Sequence, residues 1–284
     1  ESMYAKLKNG GADYDIIIPS DYMVARLIQE DLLEKLDFSN IPLFESNVMD
    51  QFKKPDYDPT GEYSVPYSWG TVGIIYNKKL VSDPVDSWSI LWNEKYKDNI
   101  LMFNNSRDAF AVAETLLGYS QNTVDKNEIK AAADKLMEQK PLVQGYYMDE
   151  IYEKMINGDA ALATYYAGDA LQMMASNSAL DFAYPKEGTN RFADAVCIPK
   201  GSKNKKYAEM YINFLLEGEI ALENSEVTGY CTPNNAAYDL LSDEVKQNKI
   251  MYPDAEYLSK CESFVHLPAD VNTYVQDLWI RIKT

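Results

Sequence analysis

The chain has 284 residues, with 44 acidic against 27 basic side chains and a formal net charge of −17. The length suits two lobes of ordinary domain size, and the charge argues against a nucleic-acid partner, which requires a basic face, while permitting a cationic one. The balance of 46% hydrophobic and 25% charged residues is globular, and no apolar run approaches the roughly 20 residues that span a bilayer.

The first ten residues, ESMYAKLKNG, lack the charged start and apolar run of a signal peptide, so a start removed by processing or trimming is expected. SMYAKLK predicts a short helix stopped by Gly10 and Gly11, and DYDIIIPS a buried strand ending at Pro19. Ser20 and Asp21 then look like the cap of a helix over YMVARLIQEDLLEKL, giving the α-β-α order of a parallel sheet. After the loop PDYDPTGE, the segment YSVPYSWGTVGIIYN predicts two short strands interrupted by Pro66 and Gly70, a crossing between lobes. Further on come a helix in SWSILWNEKYKDN, the strand ILMF, helices in SRDAFAVAETLLGYS and NEIKAAADKLMEQK, and the strand–helix alternation from PLVQGYY to DFAYP. RFADAVCIP is a strand and the second crossing, and the remainder is largely helical up to VQDLWIRIKT. These crossings divide the chain into one lobe of residues 1–69 and 193–241 and another of residues 70–192 and 242–284.

Period-2 alternation in RFADAVCIP puts Phe192, Asp194, Val196 and Ile198 on one face, so the Asp194 carboxylate needs a cation or several donors, as a structural anchor or a ligand anchor. Asp108 falls in the first turn of a helix if Ser106 is the cap, where the helix dipole alone suits an acid; it also follows a strand end, where ligands gather in α/β folds. Tyr165 and Tyr166 end the strand AALATYY, Ser20 and Tyr22 follow DYDIIIPS, and Trp69 and Tyr230 sit at a crossing and in the GYCTPNN turn. Rings combined with a few carboxylates suit an alkyl diammonium ion, whose methylenes pack on ring faces while its charged ends take carboxylates. One histidine, His266, and three cysteines without a C-x-x-C pair give no metal site, and no cofactor fingerprint or catalytic pairing is present. A hydrolase would rest on His266 alone, so a non-enzyme is expected.

The stretches ESMYAKLKNGGADYDIIIPSDYMV, YSVPYSWGTVGIIYN, FADAVCIPKGSKN, INFLLEGEIA, GYCTPNNAAYDLLS and YPDAE together resemble the spermidine/putrescine-binding proteins of bacterial polyamine ABC transporters. The resemblance implies a two-lobed α/β fold of the type II periplasmic-binding-protein kind, with crossing strands and lobes that close on the ligand. It further implies an extracytoplasmic location, permease subunits as partners, and a membrane tether or fusion outside this chain. Family members begin with a strand and helix ahead of ESMYAKLK, which this sequence lacks.

By the same resemblance Ser20 and Tyr22 contact the amine, Asp108 holds one ligand end and Asp194 is the central amine-binding carboxylate. Phe192 and Tyr165 fall where the family places tryptophans, and Tyr230 matches a pocket tyrosine. Asn105 stands where spermidine-binding members carry a second acid, so the choice between spermidine and putrescine stays open. The adjacent Tyr165 and Tyr166 allow an alternative within the fold, a ferric-ion or other small-cation binder.

Overall fold

The structure, a computed structural model, describes residues 2–10 and 13–284. The chain opens with α1 (Ser2–Lys8), which ends as expected at Gly10, in the left-handed region at φ 67°; the second expected stop, Gly11, lies outside the described residues. DYDIIIPS differs from expectation. It pairs only through isolated bridges of Ile17 with Cys197 and Ser20 with Asp194, and Ile18 is 43% exposed against 5% for Ile17. Pro19 has no N–H to give, so this ladder cannot run on regularly.

Helix α2 (Asp21–Gln29) starts after Ser20 and ends seven residues earlier than the periodicity suggests, because Asp31 adopts a left-handed φ of 55° and Leu33 turns to bridge Pro199. A short α3 (Phe44–Asn47) precedes β1 (Ser64–Asn77), one continuous strand that passes through both Pro66 and Gly70 instead of breaking there. SWSILWNEKYKDN forms two 3-10 turns, Trp88–Trp92 and Glu94–Tyr96, each begun by a side chain, of Ser87 and Asn93, that accepts from the backbone and so tightens the first turn.

The α/β alternation follows: β2 (Ile100–Phe103), α4 (Ser106–Leu116), α5 (Lys126–Gln139), β3 (Val143–Tyr147), α6 (Glu150–Asn157), β4 (Leu162–Tyr166), α7 (Ala167–Ser176), β5 (Leu180–Ala183) and β6 (Arg191–Cys197). Helices α8 (Lys205–Leu215), α9 (Gly218–Thr228), α10 (Asn235–Leu240), α11 (Asp243–Gln247), α12 (Ala255–Leu258) and α13 (Ala269–Lys283) complete the chain.

Two compact units emerge. Unit 1 comprises residues 1–69, 192–247 and 263–266, and unit 2 residues 70–191, 248–262 and 267–284. The chain passes from the first to the second inside β1 and returns at the start of β6.

In unit 2 the strand order is β3-β2-β4-β1-β5, with β2 parallel to β3 and β4, and β1 antiparallel to β4 and β5; the sheet is mixed where the sequence pattern suggested a parallel one. Its central strands are fully buried, Ile100, Leu101, Met102 and Phe103 being inaccessible, as befits strands covered on both faces. Phe110 and Ala113 of α4, Ile129 and Leu136 of α5, and Trp279 of α13 pack into the same core. Unit 1 buries Val24 and Leu27 of α2 with Leu33, Ile41, Val48, Ile198 and Ile212.

Candidate functional site

In unit 1 the side chains gather around Asp194. The bridge from Ser20 brings the residue ahead of α2 beside it, and Ser68 Oγ of β1 donates to Asp194 Oδ2 at 3.3 Å. Burial pushes the Asp194 carboxyl above its ordinary value, while the hydroxyls of Ser20 and Ser68 pull it back. Ser68 is a donor that sequence reasoning missed, for it lies 126 residues away and only the strand pairing brings it near.

Unit 1 also carries two edge-on ring pairs. Phe192, two residues before Asp194 on β6, meets Tyr230 edge-on with centroids 5.6 Å apart, and Tyr22 meets Phe264 edge-on at 6.2 Å. Tyr57, which the sequence did not single out, is 4% exposed, and its hydroxyl makes no hydrogen bond among the described residues. Burial, reinforced by Asp21, Asp58 and Asp194, keeps that phenol neutral. Trp69 is placed differently from the other rings: it is 5% exposed, tilts against Phe52 at 6.0 Å and spends its Nε1–H on the Thr232 carbonyl.

In unit 2 the focus is Asp108 in the first turn of α4. The cap of that helix is Asn105 and not Ser106: Asn105 Oδ1 accepts from the Arg107 N–H at 2.9 Å, so this amide oxygen is committed to the backbone. Asp108 is 7% exposed, and burial pushes its carboxyl up to about 7, opposed by the Arg107 guanidinium and by a hydrogen bond from the Tyr166 hydroxyl. Tyr165 and Tyr166 end β4 with ring centroids 5.4 Å apart, and Tyr165 stacks on Phe103 at 6.1 Å. Burial also raises the Tyr165 hydroxyl far above its ordinary value. Among the described residues, no group of three or more His, Cys, Asp or Glu side chains could hold a metal ion. Asp108 also lines a small cavity with Val72, Trp88, Thr115, Gln121 and Asn190.

Each unit thus holds a buried carboxyl that accepts from side-chain hydroxyls, Asp194 midway along β6 and Asp108 in the first turn of α4. Chemically this can bind an organic cation, and burial raises the thiols of Cys197, Cys231 and Cys261, all of them free, away from the reactive thiolate.

Residues 13–261 match the family of bacterial extracellular solute-binding proteins. The chain is 39% identical over 266 residues to the spermidine/putrescine-binding periplasmic proteins of Salmonella typhimurium and Escherichia coli, an alignment covering 92% of this chain and 76% of theirs. Among solved structures, a spermidine/putrescine ABC transporter substrate-binding protein from Streptococcus pneumoniae superposes with TM-score 0.88 at 37% identity, covering 99% of this chain and 87% of that one. The Tp0655 lipoprotein of Treponema pallidum superposes with TM-score 0.87 at 29% identity, covering 99% and 88%. No described helix is long and apolar enough to cross a membrane. The mixed α/β chain belongs to the family of bacterial extracellular solute-binding proteins.

Proposed function

We propose that this protein captures a polyamine, putrescine or spermidine, outside the cytoplasm and hands it to the permease subunits of an ABC importer. The observation that carries this reading is the recurrence in both units of a desolvated carboxyl held by hydroxyl donors: Asp194 with Ser20 and Ser68, two residues along β6 from the Phe192 ring that meets Tyr230, and Asp108 with Tyr166, whose ring lies against that of Tyr165. Ser20 adds a hydroxyl at the first carboxyl, and Asn105, three residues ahead of the second on the same helix start, carries no charge.

Magnitudes support a cation over a neutral solute. Micromolar affinity takes about −8 kcal/mol. Cation–π contacts contribute roughly 0.5 to 2 kcal/mol each, so the rings alone fall short and ammonium–carboxylate pairing must supply the rest. The relatives' names point to the same class of ligand. Binding, not bond-making, is the activity this arrangement serves.

Isothermal titration of the folded protein decides the matter. Micromolar or tighter binding of putrescine or spermidine is expected; absence of heat with both, in a folded sample, overturns the reading.

A further inference from the structure

Helix α8 carries the most conspicuous unpartnered surface of unit 1. Its inward positions Ala208, Glu209 and Ile212 are buried, whereas Tyr207 is 72%, Met210 52%, Tyr211 51% and Phe214 41% exposed. These four recur at the i, i+3, i+4, i+7 spacing that lines one side of a helix, and the rings of Tyr211 and Phe214 lie 6.0 Å apart. Tyr67 extends the surface: burial and the neighbouring Tyr211 raise its hydroxyl above the ordinary value. A salt-bridged lid of charged side chains would be the ordinary covering for an outer helix face; here large apolar groups occupy it.

The ends of the stripe differ in sign. Lys203 and Lys206 are exposed at its start, and Glu217 and Glu219 are exposed just beyond its end. A stripe that is basic at one end, apolar in the middle and acidic at the other is complementary to itself when turned end for end. A two-fold axis between Met210 and Tyr211 sets Tyr207 against the partner's Phe214, Met210 against the partner's Tyr211, and each basic end beside the opposite acidic end. This is the same-patch-to-same-patch geometry of the commonest protein dimers.

We infer that α8 is the dimerisation surface of this protein, packing antiparallel against α8 of a second copy. The four side chains expose roughly 400 Å², at about 150 to 250 Å² for a whole aromatic side chain. That lies within the largest patches usual for a monomer and below the roughly 800 Å² per partner of a standard interface, so the association is weak. Net repulsion between chains of charge −17 works against it, but screening beyond about 8 Å at physiological salt leaves the close pairs at the stripe ends to act.

Sedimentation velocity over about 5 to 500 μM at 0.15 M salt tests this, with a dissociation constant between roughly 10 and 500 μM expected. Tyr211→Glu should leave a monomer at every concentration with an unaltered circular dichroism spectrum. Two charge variants make the test specific: Lys203→Glu with Lys206→Glu, and Glu217→Lys with Glu219→Lys. Each alone should be at least fivefold weaker than the parent protein, and the two mixed should recover mixed dimers. A parent protein that stays monomeric throughout overturns the inference. So does a mixture that fails to associate, or capture of the monomer by anionic phosphatidylglycerol vesicles through the same stripe.

Discussion

A carboxyl buried as Asp108 is behaves differently towards protons and towards cargo, and the two can be measured apart. Its folded-state value is raised from 3.8 to about 7, so between those values the folded protein keeps a proton that the unfolded chain has already released. The stability it confers is therefore full below about pH 4 and is lost as pH rises towards 7. An ammonium group has the opposite preference, since it pairs with the ionised form. Polyamine affinity is expected to rise about tenfold or more between pH 5.5 and 8, and Asp108→Asn should weaken binding and flatten that rise; an unchanged pH profile in the variant removes Asp108 from ammonium binding. The neighbouring Glu114, raised by burial to about 8 against the pull of Arg107 and reinforced by Glu262 and Glu128, follows the same sign. Glu114→Gln should accordingly raise the melting temperature by a few degrees at pH 9 and leave it nearly unchanged at pH 5.

Asn105 offers a second residue-scale test. Its side-chain oxygen caps α4, a role that aspartate performs equally well, so Asn105→Asp preserves the helix start while adding one negative charge near Asp108. The variant should shift the ratio of spermidine to putrescine affinity in favour of the more highly charged ligand by about threefold or more, read by titration with each. An unchanged ratio separates this position from the discrimination. The carboxyls and tyrosines were legible in the sequence because strand period and element ends fix where a side chain stands. The contacts between them were not: Ser68 reaches Asp194 through strand pairing, and Tyr166 at the end of β4 reaches Asp108 on α4, distances in sequence that no local pattern encodes.

Elements whose stability is local were the readable ones. Helix α5, capped by Asp125 and carrying Ile129, Ala132, Ala133 and Leu136 on its buried side, and the buried strand β2 match their sequence signals. Where tertiary pairing overrides propensity the signals mislead. Pro66 and Gly70 read as breaks, yet β1 runs through them, since Trp69 between them is held by reciprocal backbone hydrogen bonds with Cys231. A glycine of the same strand has a steric duty instead. A Cβ on Gly73 would stand 2.3 Å from Phe182 Cζ and 2.9 Å from the Ala183 carbonyl, both on the neighbouring β5. The ring can turn but the backbone carbonyl cannot. Gly73→Ala should therefore cost about 1 to 3 kcal/mol, seen as an earlier midpoint in denaturant unfolding; a midpoint equal to the parent's would mean β5 yields without cost.

Taken as one charged body, the protein carries 17 more negative than positive side chains, and its proposed cargo is a small polycation. Such a field raises the local concentration of the ligand and speeds encounter, an effect that salt suppresses because screening acts on separated charges. Close pairing with a desolvated carboxyl is screened far less. The two contributions consequently divide between the rate constants: association should fall about tenfold as sodium chloride rises from about 20 to 300 mM, while dissociation changes little. Exposed acids of α9 test the division. Glu219, Glu223 and Glu226 stand exposed on α9, and changing all three to glutamine should slow association at low salt while leaving dissociation within about twofold. Asp194→Asn should do the reverse, speeding release by about tenfold or more at any salt. If neutralising α9 speeds release as much as altering Asp194, the long-range field and the buried anchor are not separable, and the acidity of the chain belongs to the site itself.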